Sequence, residues 1–208
     1  ADKEFKLVGD KSLSKRDFKR VTKPLSGFGA SFQLNNNCNL PLVIKGSQNL
    51  KPIRFFENKG SAQCKSSVIF GGIKANGKTL IKAKKSRNHT ELLFKYLKLP
   101  IKIKKNKNFD FFEVRKVKKI RPINYKIPSD ISSGAFFIAL TVLSKKSKLI
   151  IKNINVNPTR IGIISILKKM GVKILLINKK IYKGEAIADV FVESPKNLKS
   201  INCPSSLN

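Results

Sequence analysis

Two short stretches carry side chains whose types and spacing suit the capture of an anion. They are Gly60-Ser61-Ala62-Gln63-Cys64-Lys65-Ser66-Ser67 and, about twenty residues further on, Ser86-Arg87-Asn88-His89-Thr90-Glu91. Each sets small hydroxyl residues and a hydrogen-bonding or cationic side chain where a helix is expected to begin. A Ser or Thr at an N-cap accepts from one of the first-turn amides that lack an intrahelical partner. The remaining amides and the helix dipole favour negative charge. Arginine adds a planar fork matched to carboxylate or phosphate, and Gln63 can both donate and accept. Such a combination fits a phosphorylated or carboxylated small molecule.

The hydroxyl-then-arginine pattern recurs at Ser14 with Arg16 and at Thr159 with Arg160. For any one copy the simpler reading is a helix cap beside a solvated arginine, and Arg160 keeps that reading. Gln63 taken alone is a helix-surface residue, and Lys65 is expected in solvent. His89 has no cysteine or carboxylate pattern around it for metal or nucleophile chemistry and is read as an ordinary helix residue. Cys64 is expected to pack. Asp130, just before Ser132 and Ser133, is read as capping its own helix, with a ligand pocket as the alternative. No pair of carboxylates stands at a spacing that suggests acid/base catalysis. Gly71-Gly72 and Gly27-Phe28-Gly29 match neither common phosphate-binding loop and are expected at packing or cap positions.

The elements that must hold these residues follow from periodicity. Residues 53–57 read as a strand, 61–75 as a helix, 79–84 as an alternating strand, 88–98 as a second helix, and 101–105 and 109–115 as two more strands. That order, βαβαββ, returns: strand 123–127, a helix from Ser129 or Asp130 to Leu143, strand 149–154, helix 158–170 ending at Gly171, and strands 173–178 and 188–193. Ser61 corresponds to Ser132 and Arg87 to Arg160, which marks an internal duplication. A partial earlier copy opens a helix at Ser14-Lys15-Arg16, running towards Gly27 or Gly29, with strands near 40–45. The charged segment 116–122, ending in proline, is the expected linker.

Composition sets wider bounds. The chain has 208 residues, enough for a core and for one or two domains, and a net charge of +32. So basic a balance suggests nucleic acid, an anionic surface or anionic substrates. The lysines are nevertheless scattered, and Lys, Ile and Asn are abundant together, as codon bias in an AT-rich genome would make them. Three distant cysteines and one histidine give no metal-ligand spacing and no disulfide framework, which fits a reduced, cytoplasmic compartment. The longest apolar run, 134–143, is too short to span a bilayer and reads as a buried helix. No signal peptide opens the chain. It begins Ala1-Asp2-Lys3 and stops at Pro204-Ser205-Ser206-Leu207-Asn208, ends that read as cut, so an internal fragment is expected.

The motifs taken together resemble the 5-enolpyruvylshikimate-3-phosphate (EPSP) synthase family, particularly its glyphosate-tolerant second class. The matching segments are Lys-Arg-Asp-Phe-Lys-Arg-Val (15–21), Gly-Ser-Ala-Gln-Cys-Lys-Ser-Ser (60–67), Ser-Arg-Asn-His-Thr-Glu (86–91), Ile-Pro-Ser-Asp-Ile-Ser-Ser-Gly-Ala-Phe-Phe (127–137) and Asn-Pro-Thr-Arg-Ile-Gly-Ile-Ile (157–164). They stand in family order at family spacing over nearly the whole chain. The resemblance implies an α/β (α+β) fold of repeated βαβαββ units, the enolpyruvyl transferase or inside-out α/β barrel type, here incomplete. Residues 1–118 would be part of the first domain and 119–208 the first unit of the second.

The resemblance further implies transfer of the enolpyruvyl group of phosphoenolpyruvate to the 5-hydroxyl of shikimate 3-phosphate, in the shikimate pathway of aromatic amino-acid and chorismate biosynthesis. No metal and no cofactor are implied. Carried over by position, Arg16 would bind phosphoenolpyruvate. Ser61, Ala62 and Gln63 would contact shikimate 3-phosphate, with Gln63 also near phosphoenolpyruvate, and Ser86 and Arg87 would hold the shikimate phosphate side. The sequence departs from the family at Asp17, usually proline, at Asn88, usually aspartate, and at Ser129, usually glycine. No catalytic residue is assigned: the family's Lys-Ser segment would lie upstream, and its proton-transferring Asp and Lys-Glu pair downstream. The fragment alone is therefore expected to be inactive, and the complete protein to be a cytoplasmic monomer without membrane contact. Two alternatives are a basic nucleic-acid-binding α/β module and a fragment of a nucleotide-sugar enolpyruvyl transferase. The first is disfavoured because aromatic residues within glycine-rich basic strands are missing, the second by the Ser-Ala-Gln and Ser-Arg-Asn-His-Thr-Glu motifs.

Overall fold

The computed structural model describes residues 3–35 and 38–203. Most of the terminal residues on which the reading of cut ends rests lie outside the described residues. The chain divides into two compact units, Ala1–Ser86 with Leu97–Arg121 and Arg87–Tyr96 with Pro122–Asn208.

The first unit opens with β1 (Glu4–Leu7), a 3-10 turn (Leu13–Lys15), α1 (Lys19–Gly27), β2 (Ser31–Gln33) and β3 (Leu42–Lys45), the strands forming an antiparallel sheet in the order β1-β3-β2. The helix expected from Ser14 thus starts later, at Lys19. Asp17 is the cause: its carboxylate accepts from the Lys19 amide at 2.6 Å, and Arg16 before it is extended, at φ −84° and ψ 140°. Then come β4 (Arg54–Glu57), α2 (Ala62–Gly72) and β5 (Lys78–Lys84). After a helix that belongs to the other unit, α3 (His89–Tyr96), the chain returns with β6 (Ile101–Lys105) and β7 (Phe109–Arg115). This second sheet runs β4-β5-β7-β6. Its β4 and β5 are parallel, joined by the α2 crossover, and the other pairs are antiparallel.

The inward row Phe55, Ile81, Phe112 and Ile103 faces α2, whose Val68 and Ile69 are fully buried. Each such side chain contributes about 1.5–3 kcal/mol by leaving water. Gly72 packs close against Thr79 and Val114, so the glycine pair serves packing, as expected. The outward positions of β5 and β6 carry Lys78, Lys82, Lys84, Lys102 and Lys104. Positive charge is thereby spread over exposed strand positions. Lys65 departs from expectation: it is 1% exposed, with its ammonium over the Phe112 ring at 5.6 Å. It stands one turn before Val68 and Ile69 on the buried side of α2, and helix phase decides its place.

The second unit contains α3, α4 (Ile131–Leu143), β8 (Lys148–Asn155), α5 (Gly162–Lys169), β9 (Lys173–Tyr182) and β10 (Glu185–Glu193), with β10 central in an antiparallel sheet β8-β10-β9. Ile131, Ile138 and Val142 of α4 and Ile164 and Leu167 of α5 pack on Ile154, Ile174, Val190 and Val192. The expectation of a buried helix over 134–143 holds for one side only. Phe136 is 79% exposed, and Phe137, Leu140 and Leu143 are also exposed. The sheet covers a single face of α4.

Three further boundaries differ from the sequence reading. The strand expected at 123–127 is absent, and the chain makes one parallel bridge, Ser129 to Ile154. Pro122 and Pro128 bracket the segment, and the Lys126 amide is taken by the Tyr182 hydroxyl at 3.0 Å, so no ladder can extend. The helix expected from Pro158 begins at Gly162, after a turn built on Asn157. The last two strands are longer than read, because Lys183 and Gly184, both at positive φ, close a two-residue hairpin turn between them.

Candidate functional site

In the first unit the site grows out of the end of β4. Glu57 is buried, and its carboxylate accepts from the amides of Lys59 at 3.0 Å and Gly60 at 2.8 Å, which fixes the turn into α2. Gly60 is left-handed, at φ +73°, and a Cβ there would stand 3.2 Å from the Lys85 carbonyl oxygen. That close approach needs glycine, and it sets the 60–63 turn beside the end of β5. Ser61 is the N-cap: it is extended, and its Oγ accepts from the Cys64 amide at 3.2 Å. Lys65 N–H closes the first helical bond to the Ser61 carbonyl. The amides of Ala62 and Gln63 have no acceptor within the helix, and they carry its positive dipole end.

Ser61, Ala62 and Gln63 are thus brought into one turn, with Gln63 exposed. Beside them Ser86 follows β5, and its Oγ is enclosed by protein without a hydrogen-bond partner. A buried hydroxyl left so is costly unless something else completes it. Cys64 is buried behind the turn. Burial pushes its thiol up, the Glu57 charge adds to the rise, and Arg20 opposes it. Its packing role stands. Arg16 is exposed in the connector between the 3-10 turn and α1, three residues before α1 begins.

In the second unit Arg87 is exposed and stands two positions before the start of α3. The helix begins at His89 rather than at Asn88, so neither Ser86 nor Arg87 caps it. The two residues after Arg87 are fixed by groups that sequence reading overlooked. His89 Nδ1 donates to Glu185 Oε1 at 2.6 Å, and Glu185 Oε2 accepts from Asn155 Nδ2 at 3.1 Å and Asn157 Nδ2 at 3.3 Å. Asn157 Nδ2 also donates to Asn88 Oδ1 at 2.8 Å. His89 is therefore no plain helix residue. The signal in the sequence was Lys183-Gly184-Glu185, a turn that delivers a carboxylate at the start of a strand.

Beside this network lies a cavity of about 260 Å³, lined by His89, Tyr125, Asp130, Asn155, Arg160 and Glu185 among others. Asp130 caps α4 as expected, accepting from the Ser132 amide at 3.0 Å. Arg160 is not a solvated arginine: it donates to Asp130 Oδ1 at 2.7 Å and to the Ser132 hydroxyl, and its side chain is mostly buried. The Ser132 amide, helped by Arg160, holds the Asp130 carboxyl below the usual range. Burial raises the Tyr125 hydroxyl, with the nearby Glu185 charge adding to it. Among the described residues no three His, Cys, Asp or Glu side chains gather to hold a metal, and no helix is long and apolar enough to cross a membrane.

Known proteins resemble the chain along almost all of it. Residues 1–205 match the family described as EPSP synthase (3-phosphoshikimate 1-carboxyvinyltransferase). The 3-phosphoshikimate 1-carboxyvinyltransferase of Caldicellulosiruptor saccharolyticus is 45% identical over 202 residues, covering 95% of this chain and 46% of that protein. The protein of the same description from Endomicrobium trichonymphae is 41% identical over 207 residues, 99% of this chain and 47% of its own. The chain spans about half the length of the curated relatives it matches. Among solved structures, EPSP synthase from Acinetobacter baumannii superposes with a TM-score of 0.80 at 33% identity, over 99% of this chain and 46% of that one. The enolpyruvyl transferase NikO from Streptomyces tendae, at 13% identity, shares the fold with a TM-score of 0.60 over 94% of this chain and 45% of its own.

Proposed function

We propose, from the premise that this chain belongs to the EPSP synthase family, that it forms part of an enzyme moving the enolpyruvyl group of phosphoenolpyruvate to the 5-hydroxyl of shikimate 3-phosphate. Its share of that work is to bind and orient the anionic substrates. One observation carries the reading: the open amides of Ala62 and Gln63 at the Ser61 cap, with the enclosed and unpartnered Ser86 hydroxyl next to them. A phosphate or ring hydroxyl of shikimate 3-phosphate would supply the acceptors and donors this turn lacks. In this assignment Ser61, Ala62 and Gln63 contact shikimate 3-phosphate, and Gln63 also reaches phosphoenolpyruvate. Ser86 and Arg87 take the shikimate phosphate side, and Arg16, on its exposed connector, takes phosphoenolpyruvate. Arginine suits both anions because its fork meets two oxygens at once.

The reading extends to organisation. Residues 1–118 would be part of a first domain and 119–208 the first βαβαββ unit of a second. The complete protein would work in the cytoplasm as a monomer on small molecules, without nucleic acid. Alone, the 208-residue chain would bind without turning over, because among the described residues no carboxylate pair for proton transfer stands beside the anion turn.

Calorimetric titration of the purified chain tests this with three ligands: shikimate 3-phosphate, shikimate and inorganic phosphate. Shikimate 3-phosphate should bind at least about tenfold more tightly than either component, equivalent to about 1.4 kcal/mol. Arg87→Ala should remove most of that preference. Equal affinity for shikimate 3-phosphate and phosphate would sink the reading. Release of phosphate from the two substrates by the isolated chain would overturn its assignment as inactive.

A further inference from the structure

We propose that Glu185 and Asn157 are positioning residues for Arg87, acting through the two residues that follow it, Asn88 and His89. The inference rests on the reading of Arg87 as an anion-binding residue.

Helix α3 has only eight residues, His89–Tyr96. A helix so short does not hold itself in water, and its place is set by what it touches. Two contacts fix it on the start of β10. At its first turn His89 meets the Glu185 carboxylate at 2.6 Å. One turn on, Gly184 approaches so closely that a Cβ there would lie 2.9 Å from the Leu92 carbonyl oxygen and 3.3 Å from the Tyr96 Cβ. The residue before the helix is held separately, Asn88 Oδ1 accepting from Asn157 Nδ2.

The network is closed by the donor and acceptor count. Glu185 is 6% exposed, and a buried carboxylate is stable only when its oxygens are satisfied. His89, Asn155 and Asn157 supply three donors, one from the start of α3 and two from the end of β8 and the turn after it. Asn157 is itself locked, because its Oδ1 accepts from the Thr159 amide and hydroxyl while its Nδ2 is shared by Asn88 and Glu185. A polar network satisfied in this way specifies one arrangement. It is spent on the peptide next to Arg87, not on the apolar core, which lies around Ile138, Ile154 and Val190. The Arg87 backbone can stray from Asn88 by no more than one residue's reach, roughly 3.8 Å between Cα atoms. Fixing Asn88 and His89 therefore fixes where the guanidinium starts. The other ionisable groups facing His89 across the cavity are Tyr125, Asp130 and Arg160. Asp130 and Arg160 are paired with each other, which leaves Glu185 as the carboxylate that holds the imidazole.

The test uses the 208-residue chain and the fact that it has a single histidine. Glu185→Gln keeps the volume but replaces one of the two carboxylate acceptors by an NH₂ donor, which faces either the Asn155 and Asn157 donors or the His89 Nδ1–H. Asn157→Asp keeps the oxygen that accepts from the Thr159 amide and hydroxyl and removes both bonds donated by Nδ2, and Ile174→Val perturbs the core of the same unit as a control. Each is followed by the imidazole resonances of His89 and by the Arg87 Nε–H resonance, assigned through its loss in Arg87→Lys, in the ligand-free protein. The shikimate 3-phosphate dissociation constant is then measured. The expected result is a shifted Arg87 resonance in Glu185→Gln and Asn157→Asp and an affinity weakened about tenfold, with Ile174→Val altering neither. An Arg87 resonance that stays put while that of His89 moves overturns the proposal, as does an equal effect of Ile174→Val. Should Glu185→Gln fail to fold, Asn157→Asp decides alone. If the wild-type chain ignores shikimate 3-phosphate, the functional reading falls, and the ligand-free Arg87 resonance still decides the positioning.

Discussion

Arg160 donates to Asp130 Oδ1 at 2.7 Å, tying the turn before α5 to the cap of α4 across thirty residues of sequence. The carboxylate has a second donor in the Ser132 amide, so one side chain caps the start of one helix and anchors the approach to another.

Acid should dissolve this link. The Asp130 carboxyl is held below its ordinary value by the Ser132 amide and by Arg160, so its contribution to stability is present above the unfolded pKa of about 3.9 and is lost as pH falls through the lower folded value. Its side chain is 54% exposed, which keeps the charge contribution small. The cap contributes more: Asp130→Ala should cost about 1 kcal/mol at neutral pH. Urea unfolding of both proteins at neutral pH and at about pH 2.5 checks this. A stability gap that is as wide in acid as at neutrality would contradict the assignment.

Ser61→Ala separates architecture from binding. Loss of the bond from the Cys64 amide should destabilise the chain by about 1 kcal/mol, and Ser61→Gly by only a few tenths. Binding of shikimate 3-phosphate should weaken in both, because both lack the hydroxyl. A Ser61→Gly variant that binds as the wild type does would restrict Ser61 to capping.

Thiol chemistry should rank the cysteines by environment. Cys203 is exposed, Cys38 is partly so, and Cys64 is buried with its thiol pushed up. Since the thiolate is the reactive form, alkylation at neutral pH followed by mass spectrometry should label Cys203 first and Cys64 last. Early modification of Cys64 in the folded chain would mean that the α2 start opens readily.

Gly184→Ala should be the most damaging of the small substitutions. The residue sits at φ +91°, and the added methyl would meet the Leu92 carbonyl at 2.9 Å. Strain and contact together should cost about 1–3 kcal/mol. Thermal unfolding measures the loss. Hydrogen exchange should place it in α3 and the β9–β10 turn, and a loss spread evenly over the unit would argue against that contact.

Much of the fold was legible because it rests on local periodicity and punctuation. The strands at 101–105 and 109–115 fall where alternation puts them, and Ser61 and Asp130 cap the helices their sequence contexts indicate. The anion turn at 60–63 was legible for the same reason, being built from consecutive residues. What escaped depends on partners distant in sequence. Lys65 looks solvated until α2 docks on Phe112. His89 looks inert until the hairpin turn at Lys183-Gly184 brings Glu185 to it from ninety-six residues away. The missing strand at 123–127 had the composition of a strand but was bracketed by prolines, and the Tyr182 hydroxyl took its amide. Arg16 was misplaced by an Asx turn at Asp17, a choice made by one carboxylate.

The bare side of α4 bears on how the protein can be followed in solution. Phe136, Phe137, Leu140 and Leu143 are exposed in the 208-residue chain, and such a stripe takes up environment-sensitive apolar dyes. A dye-based melting curve would then start bright and report what happens to α4 ahead of anything else. The chain has no tryptophan and only three tyrosines, so its own emission is weak. Two of the tyrosines, Tyr125 and Tyr182, lie in contact with ring centroids 5.4 Å apart. Near-ultraviolet circular dichroism of that pair gives the cleaner record of when the second unit comes apart.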